Sequence, residues 1–305
     1  MSPALAADTA ALPASILCAV DFSAHAERAL RYALALTAAR GGHLTIVAVT
    51  DPLLASAAAA AGRGETVHAQ VEEALTALLA RLPRTTPPVM PAIDTVTGDA
   101  ATEILAAAGR AGAGLVVLGT QGLGGASKLV FGSTAERVIR DASLPVLVVP
   151  THEPERVDLS AVPPAVAFGH VVAAVGFDRH DAAVVAAATA WAQAGTAGLT
   201  LGHVCAEAPL PVWWPLTEMP LPPALEESTD AARQHLETLA QPLPLRAAVD
   251  VRRGAVARTV AAMVRDVGAG LLVVSRGGTS HRVGTIAYRV MREADVPTLV
   301  VAAPA

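Results

Sequence analysis

The sequence has few cysteines, few aromatic side chains and little positive charge, and each shortage excludes something. Cys18 and Cys205 are its only cysteines. Two are too few for a disulfide framework. No Cys-x-x-Cys occurs, and the nine histidines are scattered without metal-ligand spacing, so no metal site is expected. Aromatic residues make up 3% of the chain. Acidic residues outnumber basic ones, giving a net charge of -5 and a pI near 6.0. A general nucleic-acid binder normally carries the opposite excess. No Lys or Arg precedes Arg28, so the basic start of an export signal is missing. The apolar segment 10–20 is broken by Pro13 and Ser15 and runs into Asp21. No apolar run approaches the ~18 residues of a membrane span. The expected setting is the cytoplasm, with neither membrane nor nucleic acid as partner.

What is present is apolar surface: 53% hydrophobic residues against 16% charged, enough for a packed core and unlike a disordered chain. A length of 305 residues suits two domains of about 150. The chain also repeats itself. Ala19-Val20-Asp21-Phe22 recurs as Ala174-Val175-Gly176-Phe177-Asp178, and Leu44-Thr45-Ile46 as Leu199-Thr200-Leu201. Leu115-Val116-Val117-Leu118 recurs as Leu271-Leu272-Val273-Val274, and Pro145 to Val149 as Pro297 to Val301. The expected division is a first domain over 1–150, a linker over 151–168 and a second domain over 169–305. Three prolines and several charges between Thr151 and Pro164 suit a linker.

Within the first copy, short apolar runs alternate with helical patterns. Strands are predicted at 16–20, 43–49, 92–96 and 115–118, with a fifth after Pro145. Helices are predicted at about 24–40, 65–82, 99–111 and 132–142, with Gly41-Gly42 ending the first and Asp99 capping the third. Alternation of this kind gives an α/β fold: two tandem doubly wound domains, each a parallel sheet with helices on both faces. Continuously apolar strands fit, because parallel strands are buried on both sides. Ligands of such sheets bind beyond the carboxyl ends of the strands, where strand order switches. Asp21 follows the first strand and Gly119 the fourth, so adjacent strands would aim both at one crevice.

The segment from Gly119 to Thr134 has the spacing glycine, two residues, Gly122, nine residues, Gly132, Ser133. Glycines let a backbone take positive φ and approach a ligand closely. Free N–H groups at a helix start favour an anion, and Ser133 and Thr134 add hydroxyls there. These parts suit a triphosphate; a plain glycine-capped connection is the alternative, since glycine patterns are weak signals. Lys128, the sole lysine, lies within the loop, either as a mobile charge on phosphate or as an exposed loop residue.

This spacing, its place after the fourth strand and the Asp21-Phe22-Ser23 after the first resemble the universal stress protein family, in its ATP-binding subgroup. The resemblance covers nearly the whole chain, once per copy. It implies five-stranded parallel sheets of order 3-2-1-4-5, ATP in the crevice between the first and fourth strands, and pairing through the fifth. By position, Gly119, Gly122, Gly132 and Ser133 would meet ribose and phosphates, with Thr134 as an extra donor. Asp21 would stand on the adenosine side, where a carboxylate accepts from hydroxyl or amino groups. Ala19 would lie beside the base, and Val49 would recognise adenine with its backbone. Mg²⁺ could accompany the nucleotide, with Asp21 and Asp51 as candidate ligands. Pairing of the two fifth strands would make one chain a pseudo-dimer, and further association of two chains stays open.

The second copy departs from this pattern. Ser275 replaces the first glycine, Gly278 matches the second, and five residues instead of nine precede Gly284-Thr285. Asp178 reads as the retained carboxylate. Weaker nucleotide binding there, or none, is expected. His203 and both cysteines read as interior residues, and the run Ala57 to Ala61 as a loop or helix edge. Arg252-Arg253 reads as a solvated turn. Trp213-Trp214, among the six prolines between Pro209 and Pro223, reads as a lid, a contact patch or a rigid surface loop. No P-loop lysine, kinase signature or nucleophile elbow is visible. The resulting expectation is an ATP-binding stress-response regulator acting on a protein partner. A slow ATPase or phosphotransferase, and a nucleotide-independent interaction module, are the alternatives.

Overall fold

The computed structural model describes residues 12–62, 64–120, 132–150, 156–206, 229–277 and 285–302. Gly122, Lys128, Trp213, Trp214 and the segment from Gly278 to Gly284 lie outside these. In the first copy, strand β1 (Ser15–Ala19) leads to helix α1 (Ala24–Arg40), β2 (His43–Thr50), and helices α2 (Pro52–Ala60) and α3 (Gly64–Arg81). β3 (Ala92–Thr97), α4 (Ala100–Arg110), β4 (Leu115–Gly119), α5 (Ser133–Asp141) and β5 (Val146–Val149) follow. The second copy repeats the plan: β8 (His170–Ala174), α6 (Asp181–Ala194), β9 (Gly198–Ala206), α7 (Thr229–Ala240) and β10 (Ala247–Gly254). It continues with α8 (Val256–Asp266), β11 (Leu271–Ser275), α9 (Thr285–Ala294) and β12 (Thr298–Val301).

Local chemistry starts and stops these elements, at Gly41 as the sequence suggests and at Ser23 and Asp51 where the sequence reading placed no cap. Ser23 caps α1, its Oγ accepting from the Ala26 N–H at 3.2 Å, and Gly41 ends it at φ 63°. Asp51 caps α2, with Pro52 in the first turn, where a missing N–H costs nothing. The alanines at 57–60 are therefore helical, although α2 buries none of its residues.

Both copies have strand order 3-2-1-4-5, and the two sheets join into one. The order is β10-β9-β8-β11-β12-β5-β4-β1-β2-β3. All neighbours are parallel except β12 and β5, which pair antiparallel with Leu299 opposite Leu147. Two β-edges that would otherwise be exposed are thus consumed within the chain. Alternate strand residues face opposite layers. Ile16 and Cys18 pack under α1, α3, α6 and α7. Leu17 and Val116 pack under α4, α5, α8 and α9. Each layer runs through both copies without a break.

The stretch read as a linker is more than a tether. Strands β6 (Val157–Asp158) and β7 (Ala165–Val166) form an antiparallel hairpin, and Val157, Leu159 and Phe168 are buried. Phe168 lies between Tyr32 of α1, ring centroids 6.4 Å apart, and Trp191 of α6, 5.7 Å away. The connection is packed into the layer shared by the copies because its apolar residues have nowhere else to be buried.

Candidate functional site

The register of β1 with its neighbours creates the crevice. Cys18 stands opposite Ile46 on β2 and Val117 on β4, so the ends of three strands open at one level. α1 covers one layer and α4 the other. This is the switch point of the sheet, where neighbouring connections leave in opposite directions.

Asp21 follows β1. Its Oδ1 accepts from the Ser23 N–H at 3.1 Å and from Ser23 Oγ at 2.6 Å. The intervening Phe22 has φ 63°, a left-handed conformation uncommon for a bulky residue. That turn folds the Asp21 carboxylate back over the start of α1 and leaves the Phe22 ring 40% exposed. Phe22 was not anticipated as part of the site. Its sequence signals are its place in Asp21-Phe22-Ser23 and the matching Phe177 in the second copy.

Val49 lies one residue before the end of β2. The last bond from β1 to β2 is Val20 N–H to Val47 O at 2.9 Å. Peptide groups on a parallel strand alternate sides, so those of Val49 point as Val47 does, above the place where β1 has ended. Ala19, the last residue of β1, stands opposite Val47 at the floor of this space.

Gly119 ends β4. A Cβ added there would stand 2.7 Å from His25 Cβ and 2.8 Å from the His25 carbonyl carbon. The glycine is needed so that α1 can approach the strand. Positive φ, the reason offered for glycine on sequence grounds, does not operate at the described ends of the loop: Gly132 has φ -63°, and Gly119 is likewise outside the left-handed region. The loop is instead tied at its base, with Gly132 N–H donating to Thr120 O at 2.9 Å and Thr120 N–H to Val149 O at 3.3 Å. Gly132 then stands at the N-cap of α5 without any side chain to cap it. The exposed Ser133 and half-buried Thr134 follow in the first turn. The loop's return therefore delivers a helix start, with donors to spare, beside the end of β4.

Asp51, a candidate metal ligand by sequence, is committed to α2: its Oδ1 accepts from Leu53 N–H at 2.7 Å. Among the described residues, no group of three His, Cys, Asp or Glu side chains could hold a metal ion.

The second copy corrects one sequence reading. Val175 N–H donates to Gly202 O as Val20 N–H does to Val47 O, and Phe177, at φ 59°, matches Phe22. Gly176 thus stands where Asp21 does, and Asp178 where Ser23 does. The carboxylate is not retained; the sequence reading is off by two because it takes Asp178, one residue after Phe177, for the counterpart of Asp21, one residue before Phe22. Another acid fills the turn. Asp181 accepts from Gly176 N–H through Oδ1 and from Asp178 N–H through Oδ2, both at 3.0 Å. Burial raises the Asp181 pKa, with the neighbouring Asp178 charge adding to it and the two N–H groups opposing. Phe177 stacks on His203 at 3.8 Å, and His235 of α7 meets the same ring edge-on at 4.6 Å. His203, whose Nδ1 lies 2.8 Å from Val175 O, is buried as expected; its counterpart in the first copy is Ala48. Cys18 and Cys205 are both buried, and burial drives the Cys18 thiol pKa upward, leaving it inert.

Two stretches, residues 14–150 and 167–302, match the model of the universal stress protein family. The chain belongs to that family. A curated relative, "Universal stress protein in QAH/OAS sulfhydrylase 3'region" of Thermus aquaticus, is 34% identical over 142 residues. That match spans 44% of this chain and 97% of the relative, as expected when a single-copy protein meets a tandem one. Among solved structures, a universal stress protein from Archaeoglobus fulgidus DSM 4304 aligns over 96% of this chain and 97% of its own, with a TM-score of 0.66 and 18% identity. A putative universal stress protein from Pseudomonas aeruginosa UCBPP-PA14 aligns over 95% and 93%, with a TM-score of 0.61 and 16% identity. At these identities the likeness is one of fold, and it extends over both copies of this universal stress protein. No helix among its described residues is long and apolar enough to cross a membrane.

Proposed function

We propose that this universal stress protein binds one adenine nucleotide, ATP, in the crevice of its first copy and acts as a nucleotide-dependent regulator. The observation that carries the reading is the difference between the copies. In the first, β1 ends between β2 and β4, with Asp21 after β1, Val49 near the end of β2 and the start of α5 tied to Thr120 after β4. In the second, Asp181 already occupies the N–H groups of the turn, and aromatic rings pack at the strand ends.

In this reading Asp21 accepts from ribose hydroxyls or the adenine amino group, and the Val49 peptide pairs with the base above Ala19. The N–H groups at Gly132, Ser133 and Thr134, with the two hydroxyls, hold phosphate, and Gly119 and Gly122 shape the loop that reaches it. Mg²⁺ would enter with the phosphates, since Asp51 is engaged elsewhere. Regulation requires that ATP bind two conformations unequally; the loop from Gly119 to Gly132 is the segment that ATP would bias, altering the surface offered to a protein partner.

The experiment is calorimetric titration of the full-length protein with ATP and Mg²⁺. One equivalent per chain is expected, lost in Gly122→Val with the fold retained by circular dichroism. Two equivalent sites would sink the single-crevice reading, and no heat with either protein would sink nucleotide binding altogether. Turnover measured in the same samples separates a regulator from a slow ATPase.

A further inference from the structure

α5 starts beside the crevice, yet its far end is held by the other copy. Arg276 Nη1 donates to the carbonyl oxygens of Arg140 at 2.9 Å and Ala142 at 2.7 Å. Tyr288 Oη, from α9, donates to Glu136 O at 2.9 Å. Carbonyls at a helix C-terminus lack N–H partners within the helix, and a cation there complements the helix dipole. The guanidinium therefore supplies both a hydrogen-bond donor and the favoured charge.

Arg276 opens the shortened loop of the second copy. Its N–H donates to Val301 O at 3.0 Å, as Thr120 N–H does to Val149 O, so Thr120 is its counterpart. A threonine has no arm to send across to α9. Among the described residues the support is one-way: the helix following the full-length loop receives a cationic cap from the opposite copy, and Thr120 has no cationic side chain to return one. The second copy's loop start has thus become a brace for the first copy's helix.

We infer that Arg276 and Tyr288 are positioning residues for the phosphate end of the first copy's crevice. This rests on the nucleotide reading above. α5 has nine residues and spans about 13 Å at 1.5 Å per residue. Such a short helix shifts as one piece, so fixing its middle and C-terminus fixes where the N–H groups of its first turn stand. The hydrogen bonds of Arg276 go to Arg140, Ala142 and Val301, none of which lies on β1 or β2, the strands that carry Asp21 and Val49. Its loss therefore weakens what holds phosphate and spares what holds adenosine.

The test compares ATP with adenosine on the full-length chain. Arg276→Gln raises the Kd for ATP roughly fivefold to tenfold, the scale of one ordinary hydrogen bond, and changes that for adenosine by less than about twofold. Arg276→Lys, which keeps a cation near the helix end, restores part of the loss. Tyr288→Phe removes a single hydroxyl, leaves folding intact and gives a smaller shift of the same kind. A purely structural brace would lower the melting temperature and weaken both ligands alike. Equal weakening of the two, or unchanged ATP affinity in all three variants, overturns the positioning role while nucleotide binding stands. If the unaltered protein binds neither ligand, the nucleotide reading fails first and this inference falls with it.

Discussion

At the scale of single residues, the crevice is built as much by exclusion as by contact. Gly119 admits α1 to the end of β4, with His25 atoms inside 3 Å of where a Cβ would lie. Gly119→Ala must push that first turn away. It is expected to cost about 1–3 kcal/mol, as overpacking does, measured by urea denaturation; a change within about 0.5 kcal/mol would refute the packing argument. Ser23 works by contact. Buried and accepting from Ala26 N–H, it is also the donor to Asp21. Ser23→Ala should lose about 1 kcal/mol of stability and remove one of the two hydrogen bonds by which Ser23 holds the Asp21 carboxylate. Asp181 is the counter-case in the second copy. Its folded pKa is raised, so its stabilising contribution is complete below the unfolded carboxylate value and declines as pH rises through the folded one.

At the scale of elements, α5 is held at three points. Its base is tied to Thr120, its far end to Arg276, and its flank to α4 through Arg137 and Asp99, 2.6 Å apart. The hydrogen bond from Arg137, aided by those from Thr102, lowers the Asp99 pKa from 3.8 to about 2. The sign follows: the depressed pKa contributes stability above pH ~4, and that contribution disappears as pH falls toward 2. The melting temperature of Asp99→Asn should therefore fall less steeply between pH 4 and 2 than that of the unaltered protein. Because the pair is exposed, the difference should also shrink in high salt. A parallel acid decline in both proteins would show the link to be inert.

At the scale of the whole molecule, the joint between β5 and β12 makes the ten-stranded sheet one structure. Leu147 and Leu299 face each other there, both buried. Leu147→Asp places an unpaired charge in a shared layer and should destabilise by more than about 4 kcal/mol. Loss of hydrogen-exchange protection is expected in β1 and β8 together. If β8 keeps full protection, the two copies unfold independently. The aromatic series Tyr32, Phe168, Trp191 crosses the same boundary, so Phe168→Ala should be felt in both copies at about 3–5 kcal/mol.

The duplication, the alternation of strand and helix and the caps at Gly41 and Asp99 were legible in the sequence, because they depend on neighbours a few residues apart. Periodicity and capping are local, and the backbone answers them locally. The crevice was legible as a place, since strand ends and a glycine-rich connection mark it. Its inner logic was legible only in part. Gly176, not Asp178, stands at the Asp21 position; the repeat alignment already implied it, and the matching bonds of Val20 and Val175 fix it. The need for glycine at 119 comes from His25, a residue on another element. The cap on α5 comes from Arg276, 136 residues beyond the carbonyl of Arg140. The sequence alone determined the main strands and helices of each copy and their order, though not α2 or the β6–β7 hairpin. Tertiary structure decided which of their residues meet, because the sheet brings distant segments together at distances set by packing across the fold.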